Sequence, residues 1–317
     1  MTVFVDPDMQ PILAEMRAAP PVDYTTMPIA AARAVFNAGT VPWRQLAPGG
    51  LVVDELALPG ATAPLRARLY RPAAAATLPL IVYVHGGGWT FGSVDSHENE
   101  MRYLALGAGA AVLGFDYRLA PEAPFPAPLD DTLAVIAAVQ GGALAGKADA
   151  TCWAIAGDSA GAHLALAALL ARRDGGAGQP VAAALFYGCY APRFDNDSNG
   201  LFGGGEFGLS NARMRWYWAN LLGGHAPTAL SAPLDAEFAG LPPAYLLAAG
   251  LDPLRDDTLR LAERFAAAGV PHEVATVPGV VHGFLGRAPR LPAAQRALRD
   301  AGAFLATKLT GRTSNGT

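Results

Sequence analysis

The chain has little of several things that usually announce a function. Of its 317 residues only two are cysteine, Cys152 and Cys189, far apart and in strand-like segments. Two buried free thiols are therefore expected, not a disulfide or a metal site. Charged residues make up only 16%, the net charge is −4, and lysine and arginine form no cluster. Such a chain has no electrostatic footprint for nucleic acid or an anionic membrane surface, and it favours uncharged or weakly charged substrates. No apolar run reaches the length of a bilayer span, so no membrane insertion is expected. The opening MTVFVDPDMQPILAEM has Asp6 and Asp8 where a signal peptide needs basic and then unbroken apolar residues. A cytoplasmic location is the expectation, and the sequons at Asn196 and Asn315 then carry no meaning. No internal repeat is visible, and the only low-complexity stretch is the short polar end TGRTSNGT.

Apolar residues, at 52%, are abundant enough for a large interior and exclude general disorder. The length suits one α/β domain over residues 1–317 with insertions. The first fifty residues are helix-compatible but broken by prolines, and they read as a covering element. Strands begin at LVVDELAL and continue as LRARLYRP, LPLIVYV, AAVLGFDY, CWAIAG, VAAALFYG, AYLLAAG and HEVATVP. Helices are expected near 98–107, 129–140, 160–173, 254–268 and 292–308. Two early strands at hairpin spacing, then strict strand–helix alternation, indicate a mostly parallel sheet with helices on both faces. Residues 191–224 interrupt that alternation with a polar loop and an aromatic helix and read as a second covering segment, so that a cap is expected from about 1–45 plus 191–224. GGGEFG at 203–208 matches the dinucleotide fingerprint in form but follows a polar loop, not a strand, and is rejected.

One short stretch carries chemistry. In CWAIAGDSAGAHLALAALLARR a buried-strand pattern ends, a helix pattern begins, and Ser159 stands on the bend with Gly157 and Gly161 two residues to either side. Glycines there let a strained serine backbone approach strand and helix closely and lift its hydroxyl above the sheet. Ligands of open α/β sheets bind at the carboxyl ends of the strands, so partner groups are sought in loops that leave strands. Among the six histidines only His282, in PGVVHGF, meets that criterion together with flanking glycines. Asp252 directly follows AYLLAAG and is the preferred acid over Asp256 and Asp257, which suit a helix N-terminus instead. HGGGW, 85–89, follows a buried strand, and its glycines expose bare N–H groups to a developing oxyanion, with His85 bracing the loop. Asp116 is expected to share a structural polar network with Arg118 and Glu122.

The order serine, aspartate, histidine with an upstream glycine loop is that of the α/β-hydrolase fold. HGGGW, DYRLAPEAPFPA, GDSAG, DPLRDD and HGF, together with the two covering segments, resemble the bacterial hormone-sensitive-lipase-type esterases of the GDSAG subgroup over nearly the whole chain. The resemblance implies Ser159 as nucleophile, His282 as base and Asp252 as acid, with the N–H groups of Gly87, Gly88 and Ala160 as oxyanion donors. It implies hydrolysis of short- to medium-chain esters with no metal or cofactor, and a homodimer is an expectation because family members often pair through the last strand and terminal helix. Ala162 departs from the family's usual second glycine. Trp89, Phe91, Phe207, Met214 and Trp218, weighed beside Phe202 and Trp216, are expected against substrate, although their spacing also suits packing within the cap. An amidase or carbamate hydrolase with the same triad stays open, as does a non-catalytic small-ligand-binding relative. The presence of His282 weighs against the latter.

Overall fold

In the computed structural model, which describes residues 3–72 and 78–311, two helices open the chain: α1 (Met9–Ala18) and α2 (Ile29–Arg44). An eight-stranded sheet follows, built from β1 (Leu51–Pro59), β2 (Pro64–Pro72), β3 (Pro79–Val84), β4 (Ala111–Phe115), β5 (Asp149–Asp158), β6 (Ala183–Phe186), β7 (Ala244–Leu251) and β8 (His272–Val281). Its spatial order is β1-β2-β4-β3-β5-β6-β7-β8, with only the β1–β2 and β2–β4 pairs antiparallel. The connecting helices are α3 (Glu98–Ala108), α4 (Ala127–Ala138), α5 (Ala160–Asp174), α6 (Asp197–Phe202), α7 (Asn211–Leu222), α8 (Arg255–Ala267) and α9 (Pro292–Thr310).

The two faces of the sheet follow from strand alternation. Leu80, Val82 and Val84 of β3 belong to one buried cluster with α4, α5 and α8, whereas Ile81 and Tyr83 belong to the other with α3 and α9. Both faces are covered, as the continuous apolar runs of the central strands require. The parallel strands all end on one edge, and the loops that leave that edge build the site described below.

Several details differ from the sequence reading. β8 runs past Pro278 to Val281; it is an edge strand, where a missing N–H is tolerated. The helix expected to reach residue 140 gives way to a short π turn at Val139–Ala143, and Gly142 within it has a φ of 96° that an ordinary helix cannot hold. Asp116, Arg118 and Glu122 do not form one network. Asp116 accepts from the Val94 N–H at 2.7 Å, Arg118 pairs with buried Asp131 at 2.8 Å, and Glu122 pairs with Arg33 at 2.7 Å. Each satisfies a loop crossing near its own position, so sequence proximity misled. No disulfide joins Cys152 and Cys189; Cys189 is buried, but Cys152 is only half-buried, its Sγ 3.1 Å from the Leu309 carbonyl oxygen. Asn196 is buried and caps α6, its side chain accepting from the Asn199 N–H. The polar end with Asn315 lies outside the described residues. No helix among the described residues is long and apolar enough to cross a membrane.

Candidate active site

Ser159 sits between the last residue of β5 and the first of α5, with φ 52° and ψ −118°. A positive φ at a non-glycine residue is strained, and the surroundings hold it: its N–H donates to the Phe186 carbonyl of β6 at 2.8 Å. The two glycines have steric reasons. A Cβ on Gly157 would stand 2.6 Å from the Gly161 backbone, and one on Gly161 would stand 1.9 Å from the Val84 carbonyl oxygen. Ala162, by contrast, is fully buried within a core cluster and finds room there.

His282 is the first residue beyond β8 and Asp252 the first beyond β7, neighbouring strands that deliver both to the same edge. His282 Nε2 lies 2.9 Å from Ser159 Oγ, and His282 Nδ1 lies 2.7 Å from Asp252 Oδ2. Asp252 is fully buried, and its other oxygen accepts the Leu254 N–H at 2.8 Å, so the carboxylate cannot swing. With Nδ1 donating to Asp252, Nε2 is the bare nitrogen and can accept the serine proton. Tyr187, not anticipated from sequence, packs edge-on against the imidazole at 5.0 Å. Asp256 and Asp257 lie elsewhere: Asp256 accepts from the Ser198 N–H at the start of α6 and Asp257 from the Tyr190 N–H, so both tie neighbouring segments to the start of α8.

The glycine loop leaves β3 beside this group. Gly87 and Gly88 have φ of 114° and 59°, and both line the cavity above Ser159. Their N–H groups find no protein acceptor among the described residues, and the Ala160 N–H is a first-turn donor of α5 with no intrahelical partner. His85 does not face the serine. Its Nδ1 donates to the Gly86 carbonyl at 2.8 Å, its ring stacks on Tyr117 at 4.2 Å, and burial pushes its pKa down to about 3.

Beneath the loop is a buried polar cluster that sequence reasoning missed. Asp158 accepts from Tyr83 Oη and the Gly86 N–H, each at 2.9 Å, and its second oxygen faces His97 Nε2 at 3.6 Å. Burial opposes the charge on both partners, but their mutual attraction wins: His97 is lifted to about 9 and Asp158 held below its ordinary value. Burial raises the neighbouring Glu100 to about 7, against the pull of His97. No spacing rule links an aspartate before the elbow to a histidine at a distant helix start, and only the fold brings them together.

The cavity has a volume of about 340 Å³, within the range of small-ligand sites. Met16, Tyr24, Phe36 and Trp43 enter it from the N-terminal segment, and Leu209, Met214 and Tyr217 from the segment between β6 and β7. Of the five residues expected against substrate, Met214 lines it; Trp89, Phe91, Phe207 and Trp218 are not among its described lining residues. Trp89 and Trp218 pack together at 4.6 Å, and the Trp89 indole N–H donates to His163 Nδ1 at 3.1 Å. Phe91 stacks on Phe36 at 5.1 Å, and Phe207 meets Phe202 at 5.7 Å. These rings pack the glycine loop against the covering segments and among themselves.

A serine on a strained strand-to-helix bend, a histidine and an aspartate from successive strand ends, and a glycine loop define the site of a hydrolase built on a doubly covered α/β sheet. The sequence profile of the α/β-hydrolase fold family matches residues 81–286, and the chain belongs to this family, in its hormone-sensitive-lipase-type branch. It is 39% identical over 256 residues to esterase LipI of Mycobacterium tuberculosis, covering 78% of this chain and 79% of that protein. It is 35% identical over 301 residues to carboxylesterase NlhH of the same organism, covering 92% and 93% of the two chains. The solved structure of an esterase from Pyrobaculum calidifontis matches with a TM-score of 0.90 at 30% identity, covering 96% of this chain and 98% of that one.

Proposed function

We propose that the protein is a serine carboxylesterase acting on short- to medium-chain esters, with Ser159 as nucleophile, His282 as general base and acid, and Asp252 as the group that fixes the imidazole. The reading is carried by the continuous Ser159–His282–Asp252 hydrogen-bond line, 2.9 and 2.7 Å long, opening into a cavity. The names of its relatives, esterase and carboxylesterase, support it.

Ser159 Oγ attacks the ester carbonyl while His282 Nε2 takes its proton, giving a tetrahedral intermediate. The negative oxygen is held by the N–H groups of Gly87, Gly88 and Ala160, fixed donors that need no reorganisation. His282 then returns the proton to the leaving alcohol, and an acyl-serine remains. Water, deprotonated by the same nitrogen, attacks that acyl group and releases the acid and free serine. Asp252 keeps the proton on Nδ1 throughout and stabilises the imidazolium.

Residues 1–45 and 191–224 act as a cap over one catalytic core, supported by the lining residues they contribute. The GDSAG subgroup, the cytoplasmic location and a homodimer belong to the same proposal and rest on the sequence and the family resemblance. The chemistry is tested by incubation with a fluorophosphonate and intact-mass analysis. A single adduct mapped to Ser159 is expected. An unmodified serine in folded protein, or an adduct elsewhere, would overturn the assignment.

A further inference from the structure

Two arginines that line the cavity, each over one of its aromatic residues, make no ion pair among the described residues. Arg287 lies in the 3-10 turn Phe284–Arg287, five residues beyond His282 and on the same loop. Its guanidinium stands over the Trp43 ring at 4.4 Å and lines the Ser159 cavity. It makes no ion pair and no side-chain hydrogen bond among the described residues. Arg290, three residues on, offers a contrast: it lies over the same ring at 5.2 Å, but Glu15 grips it with two hydrogen bonds, of 2.9 and 2.6 Å. The second cation, Arg213 at the start of α7, stands over Tyr24 at 4.9 Å, and among the described residues its only side-chain hydrogen bond is a long one of 3.5 Å to the Gly208 carbonyl.

A mostly buried guanidinium with nothing to bind is costly unless something supplies the partner. Glu100 and Glu15 attract Arg287 and Asp23 attracts Arg213, but none of them closes an ion pair with either arginine among the described residues. Asp158 is engaged by Tyr83, Gly86 and His97. Glu100 lies under the same turn, where a Cβ on Gly286 would stand 2.8 Å from its Oε1, yet it is beyond ion-pair reach of Arg287, and burial moves it towards its neutral form. What remains is a planar donor fork on a rigid loop, backed by an aromatic ring and facing the space beside the nucleophile. That geometry matches a carboxylate.

We infer that the Ser159 cavity selects esters that carry a free carboxylate, with Arg287 as its principal binding group and Arg213 as a second cation at the cap side. This deepens the esterase reading and rests on it for the reaction, though not for the recognition. It also reverses the expectation drawn from overall charge: a chain with a net charge of −4 can present a local positive field in one site. The carboxylate can belong to the acyl part, as in a monoester of a dicarboxylic acid, or to the alcohol part, as in an acylated hydroxy acid. Both place an anion a few bonds from the scissile carbonyl.

Two matched pairs separate these sources. On the acyl side, mono-4-nitrophenyl glutarate is compared with neutral 4-nitrophenyl 5-methylhexanoate; on the alcohol side, 3-acetoxybenzoate is compared with 3-acetoxybenzamide. The ratio of kcat/KM, anionic over neutral, is measured within each protein so that general losses cancel. In at least one pair the wild type is expected to favour the anion by about tenfold or more, falling as salt is raised. Arg287→Met is expected to lower that ratio about tenfold, with Arg287→Lys intermediate and Arg213→Met weaker but in the same direction. If Arg287→Met does not fold, the other two variants still decide the matter. Binding of the same pairs to Ser159→Ala protein is followed in parallel by tryptophan fluorescence. Turnover without charge preference in either pair would overturn the inference and leave the esterase reading standing. Absent turnover with arginine-dependent binding of the anion would do the reverse, and absence of both would overturn the two together. A variant that loses stability with its ratio unchanged would show that Arg287 merely balances Glu100, which also contradicts the inference.

Discussion

Gly161 meets Val84 so closely that a single added methyl would stand 1.9 Å from the Val84 carbonyl oxygen. The start of α5 is thereby pressed against the end of β3, the strand from which the glycine loop departs, so Ser159 and the glycine loop share one joint. Gly161→Ala is expected to cost about 3 kcal/mol or more, because backbone and not a flexible side chain occupies the space. A urea midpoint equal to wild type would refute this packing.

Asp252 accepts from His282 Nδ1 at 2.7 Å while its other oxygen is tied to the Leu254 N–H. Asp252→Asn preserves the shape but offers the imidazole a donor on one side, which favours the wrong tautomer. A fall in kcat of roughly 10⁴ is expected, with a nearly unchanged melting temperature. A fall of less than tenfold would remove Asp252 from the role.

The His97–Asp158 pair makes stability depend on pH. His97 is raised from an ordinary 6.5 to about 9 in the fold, chiefly against burial and through Asp158, with Glu100 and His85 also facing it. The folded state therefore binds the proton more tightly, and its stabilising effect is full below about 6.5 and lost as pH rises through about 9. His97→Gln is expected to destabilise by about 3 kcal/mol at pH 6 and by clearly less at pH 10, read from denaturation at the two values. An equal loss at both would contradict the ion pair.

Asp257 reaches the same sign of pH dependence from the opposite cause. Burial raises it from 3.8 to about 7, against the Tyr190 N–H that it accepts. Protonation thus favours the folded state below about 4, and that contribution disappears as pH climbs through about 7. Asp257→Asn keeps an acceptor for Tyr190 and removes the titration, so the variant is expected to gain stability relative to wild type between pH 5 and pH 8.5. A difference between the two proteins that does not change with pH would rule this out.

Much of the molecule could be read from its sequence. The apolar runs give all eight strands because β-strand burial imposes a local pattern, and the serine, histidine and aspartate were reachable because strand ends are visible in that pattern. What escaped depends on tertiary placement. Trp89, in the glycine loop, and Trp218, in α7, look like pocket residues, but they pack on each other and on His163 and are not among the described lining residues. Conversely Arg287, Trp43 and Tyr217 line the site from segments with no chemical signature, and His97 meets Asp158 only after β5 and α3 have docked. The Asp116 network failed for a related reason: each of its three members found a partner more distant in sequence than the others.

The most direct measurement is the initial rate on p-nitrophenyl esters from acetyl to palmitoyl, with wild-type and Ser159→Ala proteins compared side by side. Activity highest at short to medium chains, with kcat lower by on the order of a millionfold in a folded Ser159→Ala variant, is the expected result. Comparable rates from the two proteins, or none from folded wild type on any ester, would contradict the assignment of this site.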